Sequence, residues 1–542
     1  MTIIKISTAT ATLAAFLAAA ACPVMAEPWI KAESAHFIVY SDNKEFVVRD
    51  YIARMEAYDF AADKLFSEIG DSKLDTTAKL TFVYMAKAAE FRTVKPDIKT
   101  DSYNPVLSCF KYDPQLFAIS DSDGTELLDA RFNSRDLSYM FRSQTDMKMH
   151  EYFSYTVPRW AWGGLQDYFM MTHIDGNKVL VGLPSPELMY ETDVHQEMGR
   201  PAPPLATPVS KILPLRTIIE AETSDPASAR LVRFERWVLI NYFLTDVAHE
   251  TKFLEYLTRV SNGDDNWTAF SGATGMSEAD FEAIYTEYTH KGPPYLTYTM
   301  SIGAAGKTTV TRLAGVNNTG PLIAAALAVC PTTTYGRDLL RQAQGLLASA
   351  PDDEAVLRAN IIGQLDFGDP AAAAPLVARL AATEPASDTP LYLQGRTYLA
   401  MANADDGAAR SQDMAKARTA LGKAYQINPA SAPTLYYFAK AQADLPEYPD
   451  ANAMNAVKLA QDYSGDYGNY RAELLVRAGR YDDALEIVKT WPDEMKAGDG
   501  KAAMTAIVAG LKAKAPKDEI LGQFAIYDKA LDAVYATGVA IW

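Results

Sequence analysis

Apolar positions in the first 145 residues recur with two different periods. Ala35-His36-Phe37-Ile38-Val39-Tyr40 alternates and is rich in β formers, which predicts a strand, with Ser41-Asp42-Asn43 as its turn. From Lys44 to Ile69 the period changes. Val47, Val48, Tyr51, Ile52, Met55, Tyr58, Ala61 and Leu65 fall on one face of a long amphipathic helix. Ala78–Met85 and Leu116–Ser120 read as two more strands, with a short helix over Ala86–Arg92 between them. His36 sits within the strand pattern and is expected to be structural.

From about Ser138 the pattern is mainly helical. One helix is predicted to Thr156, stopped by Pro158, and a second over Trp160–Thr172. Pro184–Pro214 is proline-rich and reads as a long loop. Helices follow over Leu231–Thr245, Lys252–Val260, Thr268–Ala273 and Glu278–His290. Pro293-Pro294 marks a boundary, after which Tyr295–Ile302 and Thr308–Arg312 look like short strands. Beyond Thr319 the chain is alanine-rich and helical, broken every few turns, as stacked helix pairs are. Leu391–Tyr398 opens one pair and Asn428-Pro429 ends it; Ala404–Asp413 reads as an insertion. Tyr470–Leu485, with Gly479 at its turn, is the sharpest copy.

Residues 1–26 read as a secretory signal: Lys5, an alanine-rich apolar core from Ala11 to Cys22, and Val24-Met25-Ala26 ahead of a cleavage point at Glu27. An exported protein, periplasmic or extracellular, is expected. The run before Cys22 hints weakly at a lipid anchor. No later stretch has the length and apolarity of a membrane span, and Pro321–Pro331 encloses a buried helix instead. Among 542 residues the formal net charge is -17, which argues against nucleic acid as a partner. Three cysteines are few; Cys109 and Cys330, in different predicted domains, are expected as separate buried thiols. Gly306-Lys307-Thr308 lacks the upstream glycine of a phosphate loop and is set aside.

The chemistry concentrates in Met149–Phe169. In H-E-x-x-H, two histidines one turn apart bind zinc and the glutamate serves as general base. Here His150 and Glu151 are present, but Ser154 occupies the second ligand position. A hydroxyl is a poor zinc ligand beside an imidazole. Trp160, Trp162, Tyr168 and Phe169 cluster just beyond, either as core or as the wall of a cleft that holds a peptide or glycan.

This stretch resembles the peptidase-MA-like, gluzincin-type proteins of bacteria. The likeness rests on Trp29–Asp42, on His150-Glu151-Tyr152 with Pro158-Arg159-Trp160 and Gly164–Phe169, and on Arg236–Leu244 through Gly275. The resemblance implies an α+β fold: a metallopeptidase-like domain over 27–290, a linker with short strands over 291–318, and tetratricopeptide-like repeats over 319–542. It also implies that the third zinc ligand aligns with Gly163. Of the ligand set only His150 survives, together with the base position Glu151.

Two readings follow. One is a non-catalytic pseudopeptidase and scaffold, without a cofactor, that binds a protein or peptide through its repeats. Trp160, Trp162 and Tyr168 are then candidate binding residues. The alternative is a divergent zinc metallopeptidase with a rebuilt site: Glu151 as base, His150 and Asp167 as ligands, and His173 approaching from beyond the helix. Nothing in the chain fixes an oligomeric state.

Overall fold

The computed structural model describes residues 28–71, 74, 77–96, 106–120, 135–153, 157–184, 212–221, 226–301, 307–314, 319–404 and 407–537. The signal segment with Cys22, the ligand position Ser154, most of the 184–214 loop and Gly306 lie outside them.

Six strands form the main sheet. β1 (Ile30–Glu33) and β2 (Phe37–Ser41) are an antiparallel pair, and β3 (Leu80–Met85) runs parallel to β2. The crossover between them is α1 (Glu45–Ile69), within one residue of the helix that the periodicity predicts. A short helix, α2 (Phe91–Val94), follows. β4 (Val106–Cys109) and β5 (Tyr112–Ile119) make a hairpin, with β5 parallel to β3. Pro114 lies inside β5, where it can donate nothing to the ladder. The β4–β5 register shifts between Leu107 and Cys109, so the irregularity falls beside the proline.

Both faces of this sheet are buried. Phe37, Val39, Phe82, Tyr84, Leu116 and Ala118 point into one core with α1 and the helices that follow. The alternate residues Tyr40, Val83, Met85 and Phe117 point into a second core. That second core is shared with the C-terminal helices, so the helical part lies against the sheet.

The first core is closed by α3 (Arg135–Tyr152) and α4 (Arg159–Met170). Pro158 is the N-cap of α4, and α3 ends at Tyr152, before the predicted Thr156. A small sheet pairs β6 (His173–Asp175) with β7 (Lys178–Val181). Helices α5 (Leu215–Glu220), α6 (Pro226–Leu244), α7 (Val247–Ser261), α8 (Asn266–Thr274) and α9 (Glu278–Lys291) complete this half. α9 opens on a capping box between Ser277 and Asp280.

The 291–318 segment is a linker only in sequence. Its β8 (Leu296–Thr299) pairs with β7, and its β9 (Thr309–Arg312) pairs with β1 as the edge of the main sheet. Backbone hydrogen bonding thus stitches it into the N-terminal half at both ends.

The rest is helical. α10 (Gly320–Ala328) is buried throughout, as its apolar run predicts. α11 (Thr333–Ser349) precedes the pairs α12 (Glu354–Phe367) with α13 (Pro370–Thr383), and α14 (Thr389–Ala404) with α15 (Gly407–Ile427). Then come α16 (Ala432–Lys440) with α17 (Ala451–Tyr463), and α18 (Gly468–Arg477) with α19 (Tyr481–Val488). Gly479 turns between α18 and α19 at φ 76°, a conformation glycine adopts freely. Residues 407–413, expected as part of an insertion, are the opening turns of α15. The chain continues through α20 (Trp491–Glu494), α21 (Asp499–Ala513) and α22 (Lys517–Thr537). No helix among the described residues is long and apolar enough to cross a membrane.

Cys109, at the end of β4, is bonded to Cys330, just after α10, with Cα atoms 5.7 Å apart. This corrects the expectation of two separate thiols. Docking of the helices on the sheet brings together residues 221 positions apart. The chain-entropy model values closing so long a loop at about 5 kcal/mol.

Candidate functional site

α3 presents Asp146, Lys148, His150 and Glu151 within its last two turns. The His150 ring is wedged between two aromatics. Trp162 of α4 lies 4.9 Å away between centroids, and Tyr463 of α17 meets it edge-on at 5.8 Å. Asp146, one turn earlier, accepts from Trp162 Nε1 at 2.6 Å and from Gln166 Nε2 at 2.9 Å, which ties α3 to α4. Burial pushes the imidazole below its usual pKa, and Asp146 pulls it partly back. Burial thus favours the neutral ring.

Glu151 belongs to a different network. Lys148 Nζ lies 3.3 Å from its carboxylate, 2.8 Å from Asp59 and 2.9 Å from Asp63. Burial alone would lower the Lys148 pKa, but Asp59, Glu151 and Asp63 outweigh it and hold the ammonium charged. Burial raises the Glu151 carboxyl, and Lys148 pulls it back. Asp59 and Asp63 are one turn apart on α1, so a single lysine on α3 clamps the two helices. His36 joins the same region: its Nδ1 lies 2.7 Å from Glu56 and 3.4 Å from Asp59. The Glu56 hydrogen bond raises the His36 pKa against burial. His36 lies just before β2, outside the strand, with its side chain largely exposed.

The other candidates are placed elsewhere. Asp167 is 1% exposed, and both its oxygens are held by arginines. Arg142 Nε donates at 3.1 Å, and Arg233 donates through Nε at 3.0 Å and Nη2 at 2.6 Å. It closes an ion pair between α3, α4 and α6 and presents no free carboxylate to a metal. Gly163 does face open space, with nothing within 4 Å of a Cβ built there. His173 is in β6, its Nδ1 buried without a hydrogen-bond partner. Trp160 and Tyr168 are fully buried core residues, which corrects their reading as a cleft wall; Trp160 donates to Tyr256 at 2.6 Å. Of the aromatic set only Trp162 reaches the His150 neighbourhood. Among the described residues no group of three or more His, Cys, Asp or Glu is arranged to hold a metal ion.

His150 and Glu151 do line a cavity of about 300 Å³ between the sheet and the helical part. Asp113 of β5 and Asp388, just before α14, line it too. Burial, and then Asp388, push the Asp113 pKa up to about 7, although Ser431 Oγ donates to it at 3.2 Å. Burial likewise raises Asp388, which accepts from Asn428 Nδ2 at 3.0 Å. Sequence reasoning misses this pair, since lone aspartates in an acidic chain carry no signal.

The β4–β5 turn is held by the repeats residue by residue. Tyr467 Oη donates to the Phe110 carbonyl at 2.8 Å, and Tyr392 Oη donates to that of Lys111. Tyr112 Oη donates to Asp366 at 2.6 Å, and Arg396 completes the group at 2.9 Å from the same carboxylate. The Arg396 guanidinium stacks over the rings of Tyr112 at 4.7 Å and Tyr437 at 4.8 Å. Phe110 meets Tyr436 edge-on. Asp366, Tyr392, Arg396, Tyr436 and Tyr437 all lie on the first helices of successive pairs: α12, α14 and α16. That face thus carries the chain's own hairpin.

No family model matches the chain, and no curated protein matches it. One solved structure with similarity is a thermophilic tetratricopeptide-repeat protein of Thermus thermophilus. It is 22% identical over 36% of this chain and 91% of that one, with a TM-score of 0.27.

Proposed function

We propose that this chain is an exported, non-catalytic scaffold: a degenerate peptidase-like N-terminal half joined to a helical-repeat half that binds a protein or peptide. The observation that carries the proposal is the commitment of the would-be catalytic groups to the protein itself. Glu151 is paired with Lys148, Asp167 is held by Arg142 and Arg233, and the His150 ring is enclosed by Trp162 and Tyr463. A catalytic zinc site takes three protein ligands and one open position. The residues present do not fit it, because Asp167 would have to leave two arginines from a site 1% exposed.

Export is supported by the Cys109–Cys330 disulfide, since such bonds persist in oxidising compartments. Binding by the repeats is supported by their architecture, because stacked helix pairs offer an extended surface. The hairpin covers part of the face made by the first helices, so the partner is assigned to the surface left free by it.

The test is twofold. The purified mature protein, dialysed against a weak chelator, is assayed for metal and for cleavage of an unstructured protein such as casein. The proposal expects neither stoichiometric zinc nor cleavage. Zinc-dependent cleavage abolished by Glu151→Gln would replace it with the metallopeptidase reading.

A further inference from the structure

A second hollow, of about 290 Å³, opens within the repeats themselves. It is bounded by α14, α15, the end of α16 and α18, away from His150. Three cations line it: Arg410, Lys440 and Arg477. Its lining has one acid, Glu473, which takes Arg477 through Nε at 2.9 Å and Nη2 at 2.6 Å. The lining therefore carries a net charge of +2, three cations less one carboxylate, in a chain whose total is -17. Such a local reversal of sign is how a protein concentrates an anion.

The cations are held by the protein around the hollow they line. Lys440 Nζ sits 4.7 Å above the Tyr436 ring and 5.3 Å above the Tyr470 ring, which position the ammonium, while Asp528 of α22 interacts with it from outside the lining. Arg410 spends Nη1 on the Ala402 carbonyl at 2.8 Å, which anchors the guanidinium at the rim. The Tyr448 and Tyr470 hydroxyls, 2.5 Å apart, add a polar floor. Leu399 and the buried Met414 supply an apolar side.

We infer that this hollow binds a phosphoryl dianion, free or as the monoester of a small organic molecule. A dianion balances the charge of +2, whereas a carboxylate leaves half of it. A phosphoryl group also offers three oxygens to three separate cations, where a carboxylate offers two. The apolar side then favours the ester, whose organic part would lie on Leu399 and Met414.

The test is calorimetric titration of the full mature chain with inorganic phosphate, glycerol 3-phosphate, sulfate and acetate. Saturable binding near one per chain is expected for phosphate or its ester, with acetate at least tenfold weaker. Phosphate alone binding as well as the ester assigns the free ion; a preference for the ester assigns the organic phosphate. Arg410→Gln and Lys440→Met are each expected to raise Kd about tenfold or more, as loss of a charge-assisted hydrogen bond does. Arg410→Gln carries the test if Lys440→Met does not fold, which circular dichroism shows. No saturable binding up to on the order of 10 mM, a limit well above millimolar affinity, would overturn the inference. So would acetate binding as tightly as phosphate, or folded variants that bind like the parent.

Discussion

Tyr463, at the end of α17, meets His150 edge-on with ring centroids 5.8 Å apart and planes at 87°. A residue of the C-terminal helices thus closes over His150. The two halves meet at His150. Breaking this contact should loosen the halves without unfolding either. Tyr463→Ala is expected to cost about 1 kcal/mol in urea unfolding. The double variant with His150→Ala should be less than additive. Additivity of the two would show that the rings are not coupled.

Lys148 is the cation on which Asp59, Asp63 and Glu151 depend. Lys148→Met takes the ammonium from three carboxylates, leaving Asp59 with His36 and Asp63 with Tyr152, and is expected to destabilise the protein by about 3 kcal/mol. Glu151→Gln removes one of three partners and should cost far less. Chemical denaturation of both variants checks the ranking. Equal effects would mean that Glu151 does more than balance Lys148.

The disulfide is predicted to hold the β4 end against the helical half. Cys109→Ser should lower stability by about 2–5 kcal/mol. The unfolded, unreduced mature chain should show no titratable thiol at Cys109 or Cys330. Two free thiols would contradict the bond directly.

Asp113 gives a pH signature. Burial and Asp388 raise its pKa to about 7, above its unfolded value. The protonated form is therefore favoured in the folded state, and its contribution is complete below the unfolded pKa. It is lost as pH rises through about 7. Melting temperature should fall between about pH 4 and pH 7, and Asp113→Asn should flatten that slope. An unchanged slope would remove Asp113 as its source.

Much of the N-terminal half is legible from periodicity. α1 and α4 fall close to their predicted ends, because long apolar stripes constrain a helix strongly. The two-sided burial of the sheet is less visible. Phe37-Ile38-Val39-Tyr40 lacks the polar alternates of a half-exposed strand, and this is the mark of burial on both faces. β4 has only four residues, and β5 carries Pro114, so neither announces the hairpin that the repeats enclose. At the site, the departures of Ser154 and Gly163 from a zinc-protease pattern are readable in the sequence alone. The partners that neutralise Glu151 and Asp167 are not readable. Asp59, Asp63, Arg142 and Arg233 arrive from other helices, and only tertiary packing brings them in.

The central claim is that the N-terminal half has no catalytic metal site. Metal content of the mature protein, measured by mass spectrometry after dialysis against a weak chelator, tests it most directly. The account predicts zinc far below one atom per chain, unchanged in His150→Ala. Close to one zinc per chain, lost in His150→Ala, would contradict it and would require Asp167 to give up Arg142 and Arg233.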